Sequence, residues 1–136
     1  MSYLAAYLGA LVVFGALDAI WLGTMGAALY RSVLGDLLAS TVRIVPAIAF
    51  YLVYPVGIVV FAAMPGLKAG SVMTAVGLGL LFGAIAYATY DLTNHATLRT
   101  WALHITLIDI VYGGIVSGLA AGAAVYCARL VGNGIG

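Results

Sequence analysis

The sequence has no glutamate. Its charged side chains are five Lys and Arg and four Asp, only 7% of 136 residues. A soluble domain carries about 25% charged residues, so these few cannot clothe a water-soluble globule of this size. The formal net charge is +1. No basic patch is present to hold a phosphate backbone, which excludes nucleic acid as a partner. Cys127 is the one cysteine, which excludes disulfide frameworks and cysteine-based metal clusters within the chain. It reads as a small apolar filler, because it lacks the cationic or helix-N-terminal setting of a reactive thiol. No ligand pattern accompanies His95 and His104, and there is no nucleophile elbow or cofactor loop. The expectation is therefore no metal and no cofactor.

What the chain does have is apolar length. Hydrophobic residues make up 65% and the mean hydropathy is +1.21, the composition of an integral membrane protein. The charges divide it into four apolar stretches, about 3–29, 44–63, 69–90 and 101–128, with Asp18 inside the first and Asp109 inside the last. A helix needs ~20 apolar residues to cross the hydrocarbon core, and each stretch suffices. The runs are continuous rather than alternating, which favours helices over a barrel. The fold class predicted is all-α, a single-domain four-helix membrane bundle over 1–136 with short links. The first stretch lacks a basic n-region and is interrupted by Asp18, so it reads as a retained span rather than a signal peptide.

Among the links, 30–43 has the residues for a brief interfacial helix. MPGLK (64–68) reads as a tight turn at Pro65 and Gly66, and 91–100 is the longest polar stretch. Four spans put both termini on one side and the 30–43 and 91–100 links on the other. Arg31, Arg43 and Arg99 stand against Lys68, Arg129 and the terminal amine. That near-balance leans the links toward the cytoplasm and also permits insertion in both orientations.

Gly114, Gly118 and Gly122 repeat every four residues, as do Gly79 and Gly83. Such seams let helix backbones approach closely, although 18 glycines make chance spacings common. On a helical wheel the Gly114 row lies roughly opposite Asp109, which predicts one face for packing and another for the acid.

LDAIWLG (17–23) and IDIVYGG (108–114) share a pattern: aliphatic, Asp, two apolar residues, a large aromatic three positions after the Asp, and Gly. The two helices run in opposite directions. Asp18 lies about 22 Å along from Tyr3 and Asp109 about 12 Å from Trp101 at 1.5 Å per residue, so in a ~30 Å core the carboxyls share a layer. This is the form an inverted arrangement takes in transporters. An Asp mid-membrane costs roughly 2.5–3.5 kcal/mol and usually faces a protein interior, a cavity or a partner. Two close carboxylates repel and share a proton. Two readings stay open: a ligand, ion or proton site, or carboxyls bonded to Trp, Tyr or backbone donors that lock the bundle. Tyr51, Tyr87 and Tyr90 approach the same layer. An aromatic belt accounts for Trp21 and Trp101, but less well for Tyr51 and the paired Asp.

LDAIWLG, YATYDLTNHATLRTWAL (87–103) and IDIVYGG resemble the signature blocks of a family of small predicted bacterial inner-membrane proteins classified as a domain of unknown function. The resemblance covers nearly the whole chain, and TYDLTN-ATLR-W is its most specific part. His95 stands where the pattern has an aliphatic residue and Tyr112 where it has Trp. The first departure argues against His95 as a family-wide ligand; the second keeps the aromatic role. The resemblance implies a multi-pass protein of the bacterial inner membrane and brings no activity or catalytic residues.

Read physically, Tyr90 and Asp91 close the third helix, Thr93 or Asn94 caps a short helix through Leu98, and Thr100 caps the fourth. The block is then either a lid over the Asp layer or a well-capped turn. Arg99 pairs with Asp91, holds a lipid phosphate or is simply solvated. The function favoured is a pocket for membrane lipid or an amphipathic small molecule, bound by Asp18, Trp21, Tyr51, Tyr87, Tyr90, Asp91, Asn94, Arg99, Asp109 and Tyr112. The alternatives are a proton-coupled transporter acting as a homodimer and an accessory subunit packing through its glycine seams. An enzyme ranks below these.

Overall fold

Uncharged runs of about 20 residues fold as helices in an apolar solvent, because the helix pairs its backbone N–H and C=O groups within the run. The computed structural model describes residues 1–133. Helix α1 spans Ser2–Leu37: a regular Ser2–Met25, a wider π-wound turn Gly26–Arg31, and a short tail that ends beyond Gly35 at φ +24. Helix α2 spans Ile44–Lys68, again with a wider turn at Val59–Ala63. That turn precedes Pro65, whose ring and missing N–H disfavour the regular i→i−4 bond. Helix α3 spans Val72–Thr97 and α4 spans Leu103–Asn133. No strand occurs among the described residues.

Four boundaries differ from the sequence expectation: α1 runs on to Leu37 through the residues expected to form a separate interfacial helix, and α4 begins at Leu103, so Thr100 is not its cap. MPGLK is not the turn: α2 runs through it to Lys68, and Gly66 packs against Ala75. The chain reverses at Ala69–Ser71, where Gly70 takes φ +65 and the Ser71 hydroxyl accepts from Thr74 N at 3.1 Å. Only glycine adopts that φ without a Cβ penalty, and the serine is an N-cap. Helix α3 also does not close at Asp91. It continues to Thr97, with Thr93 and Thr97 hydroxyls donating back to the carbonyls of Thr89 and Thr93. Thr93 and Asn94 are thus interior helical residues rather than caps, and the expected lid is the last two turns of α3.

Helix α4 is central: half of its apolar window is buried, against 17–22% for the other three. It packs on α3 along most of its length and on α1. Helix α2 joins the core through Val59–Ala63 and Met64–Lys68, while Ile44–Ile58 touches α1 and hardly α3. The core is built from small residues, with Ala6, Ala10, Ala62, Ala75, Ala121 and Ala124 buried around Phe14 and Ile58. Large side chains such as Val45, Val53 and Met73 point outward. Lipid is as apolar as leucine, so helix association rests on close packing rather than on hydrophobic burial.

The closest approach is between α3 and α4. A Cβ on Gly79 would lie 2.7 Å from that of Ala121, one on Gly83 would meet Gly113 O and Ser117, and one on Gly113 would meet the Tyr87 ring. Gly114, Gly118 and Gly122 line the same interface against Leu80 and Val76. The packing face is therefore not opposite the acid. The tightest row on α4, Gly113–Ser117–Ala121, continues at the same four-residue spacing into Asp109, because α3 lies in the groove between two adjacent rows. Since this seam is occupied within the chain, it is not the surface an accessory subunit would offer to a partner.

Gly83→Ala should force the two backbones apart and cost about 1–3 kcal/mol or more. Gly77→Ala, whose Cβ meets nothing within 4 Å, should melt no lower than the parent protein, since alanine is the better helix former. Thermal unfolding in detergent micelles followed by circular dichroism distinguishes the two; equal melting would show that the seam does not hold the bundle.

Candidate acidic and aromatic site

The scarce polar side chains gather at one end of the bundle, where α1 and α3 finish and α2 and α4 begin. Asp18 is 6% exposed and Asp109 5%. Both carboxyls accept from phenols. Tyr51 of α2 donates to Asp18 Oδ2 and Tyr112 of α4 donates to Oδ1 at 2.9 Å. Tyr30 donates to Asp109 Oδ1, and the Trp21 indole donates to Tyr30 Oη at 3.0 Å. The two Asp-plus-three aromatics, Trp21 and Tyr112, stack with centroids 4.1 Å apart and planes 10° from parallel. The bonding is thus crossed. Tyr112, on the Asp109 helix, serves Asp18; Trp21, on the Asp18 helix, serves Asp109 through Tyr30. The two similar heptapeptides meet as a local pair of antiparallel helix segments.

Deeper in the bundle, Tyr54 Oη and Ser117 Oγ are hydrogen-bonded at 2.9 Å. The Tyr54 ring packs on Phe14, Phe50 and Phe82, with Tyr87 edge-on at 6.3 Å. Because the first half of α2 leaves α3, a cleft of about 460 Å³ remains between them. Asp18, Tyr30 and Tyr112 supply its polar surface. Trp21, Tyr54 and Tyr87 supply ring surface, and Leu22, Phe50 and Tyr90, all exposed, stand at its rim.

Asp91 lies outside this cleft. It is 0% exposed, and no donor among the described residues reaches either carboxylate oxygen. Its neighbour is the carboxyl of Asp109. The seam explains the meeting. Gly79 faces Ala121, Gly83 faces Ser117 and Tyr87 faces Gly113; the next step of four along each helix sets Asp91 against Asp109. One turn further, His95 Nδ1 and Thr106 Oγ1 are 3.3 Å apart, and the Trp101 indole donates to the same hydroxyl at 3.0 Å.

Of the residues singled out from sequence, Asp18, Trp21, Tyr51, Asp109 and Tyr112 share one hydrogen-bonded and stacked cluster, and Tyr87 and Tyr90 line the cleft. Asn94 is half-buried in the last turns of α3, and Arg99 is exposed in the α3–α4 link. Arg99 is not the partner of Asp91, which no donor among the described residues reaches. Sequence reasoning missed Tyr30, Tyr54 and Ser117. Tyr30 looked like part of a polar link beside Arg31; the wide turn at Gly26–Arg31 carries it back to Asp109. Tyr54 did carry a signal, since it sits three residues after Tyr51 and so shares its helical face.

A family model described as "Predicted membrane protein (DUF2177)" matches residues 3–126. No curated protein and no solved structure matches the chain.

Removing one phenol from Asp18 leaves a buried acceptor short of a donor. Tyr112→Phe should therefore lower stability by roughly 1–2 kcal/mol. Adding Tyr51→Phe should cost more than the two single losses combined, because the carboxyl then keeps no donor. Unfolding of the single and double variants in micelles checks this; strict additivity would show that the two phenols do not serve one acceptor.

Proposed function

Since the chain belongs to the DUF2177 family of membrane proteins, whose description specifies no reaction, we propose a function from the site itself: the protein binds a lipid or other amphipathic small molecule within the membrane, in the cleft between α2 and α3. The observation that carries this reading is a cavity of about 460 Å³ at the place where the polar side chains of the bundle gather. Ligand pockets commonly measure about 300–1,000 Å³ and combine apolar walls with a few placed polar groups. A cluster whose whole task was to lock the helices would be filled by its own side chains, as interiors are close-packed.

The chemistry of the walls narrows the head group. Asp18 is an acceptor, and the phenols of Tyr30 and Tyr112 already donate their O–H hydrogen bonds to carboxylates. Ring faces from Trp21, Tyr54 and Tyr87 surround the same space. Carboxylate oxygens and aromatic faces both favour a group that donates hydrogen bonds or carries positive charge. The exposed rim at Leu22, Phe50 and Tyr90 lets an apolar tail run out between α2 and α3 toward lipid. Membrane lipid is the nearest source of such a molecule.

Native mass spectrometry of the protein extracted in mild detergent tests this. The parent protein should retain a discrete adduct. Asp18→Asn should weaken it, and Ala86→Phe, which fills the cleft from α3 and leaves every carboxyl in the sequence, should abolish it. A parent spectrum identical to that of Ala86→Phe would overturn the reading.

A further inference from the structure

We propose that Asp91 and Asp109 hold one proton between them, making the buried pair a proton-binding site beside the cleft. Asp91 is fully buried, and no donor among the described residues reaches either oxygen. An ionised carboxylate in that position would have given up its hydration without compensation. Beside it stands a second carboxyl, that of Asp109. Two such groups, each without a cation, are stable together when one is the acid and donates its O–H to the other.

No positive side chain is placed to do this instead. Arg31, Arg43, Lys68 and Arg99 are exposed, and Arg129 lies near the far end of α4. The groups that face the pair are Tyr30 from α1, which donates to Asp109, the carboxyl of Asp18 from the same helix, and Thr106 from α4 one turn before Asp109. On α3 itself they are Tyr90 and His95. From α2 the nearest phenol, Tyr51, is committed to Asp18. A metal ion is the poorer occupant. It needs a shell of oxygens, which transporters supply from unwound backbone, whereas α3 and α4 are regular helices through Asp91 and Asp109 with their carbonyls in use. Among the described residues no group of three His, Cys or acidic side chains is placed to hold one. A proton needs only the two carboxyls.

The site is wired to the cleft. Asp109 accepts from Tyr30, Tyr30 accepts from Trp21, and Trp21 stacks on Tyr112, the donor to Asp18. When the acid O–H ionises, the proton leaves to water and two carboxylates remain. Asp109, no longer accepting from the acid, then pulls harder on Tyr30 and through it on Trp21 in the cleft wall. This coupling, unlike the proton site itself, rests on the cleft being a binding site.

The chain has four Asp and no Glu, so infrared spectroscopy of the protein in lipid nanodiscs sees just four side-chain carboxyls. The parent protein should show a protonated-carboxyl C=O band, shifted in D₂O, with the intensity of one group per chain. Asp91→Asn should remove it and Asp109→Asn should shift it, because Asp91 then loses its acceptor but stays buried without a cation, while Asp36→Asn in the tail of α1 and Asp18→Asn should leave it. If either pair variant fails to fold, retention of the band in Asp36→Asn and Asp18→Asn assigns it to the pair by elimination. Absence of the band in the folded parent, or its survival in folded Asp91→Asn, overturns the proposal. No ligand is present in this measurement, so its failure is separate from failure of the binding reading.

Discussion

The close approach of α3 and α4 is the constraint on which the rest of this protein depends. Within lipid, no hydrophobic force draws one apolar helix to another; what joins them is contact between surfaces small enough to let backbones touch. Gly79 and Gly83 on one side, and Gly113, Ser117 and Ala121 on the other, provide that surface. A seam with a four-residue step has a fixed register. It therefore positions whatever lies further along the same rows, and here those residues are Tyr87 and Asp91 on α3 and Asp109 on α4. The packing that holds the bundle and the chemistry at its end are one continuous stripe.

Burying acids in such an interior creates a demand for donors, and the chain meets it with phenols rather than cations. Asp18 takes two and Asp109 takes one, relayed from an indole. A phenol brings a proton without a charge. These two carboxyls are satisfied, yet the end of the bundle keeps its negative character instead of being neutralised by ion pairs. The same rings then form the walls of a cleft, because α2 follows α1 and not α3 over its first half. The side chains that lock the bundle thus also line the cleft where binding is proposed, and the two sequence readings of the paired Asp are not exclusive.

The heptapeptides around Asp18 and Asp109 carried more information than their shortness promised. Their matching Asp-to-aromatic spacing put Trp21 and Tyr112 on the carboxyl-bearing faces, and the structure stacks them. Asp91 is the opposite case. Its neighbours Thr93, Asn94 and Arg99 are polar, and in sequence that composition reads as a link. Thr93 and Thr97 instead return their hydroxyls to the helix carbonyls, and α3 keeps Asp91 inside the bundle. Tyr30 was hidden for a related reason: a wide turn changes the phase of the residues beyond it, and regular periodicity no longer indicates their face.

Composition and charge spacing alone determined that this chain is a membrane bundle of four apolar helices, because a span needs ~20 uncharged residues and few sequences supply that four times over. The same evidence singled out the Asp inside the first and last stretches, since a charge is most visible where it costs most. Which side chains answer those acids was decided by tertiary structure. Donor–acceptor pairs such as Tyr30 with Asp109, 79 residues apart, and Tyr112 with Asp18, 94 residues apart, depend on helix order, tilt and the phase of two wide turns. So does the orphaned Asp91: every helix here is apolar on all sides, and only the register of a glycine seam says which residues will face each other.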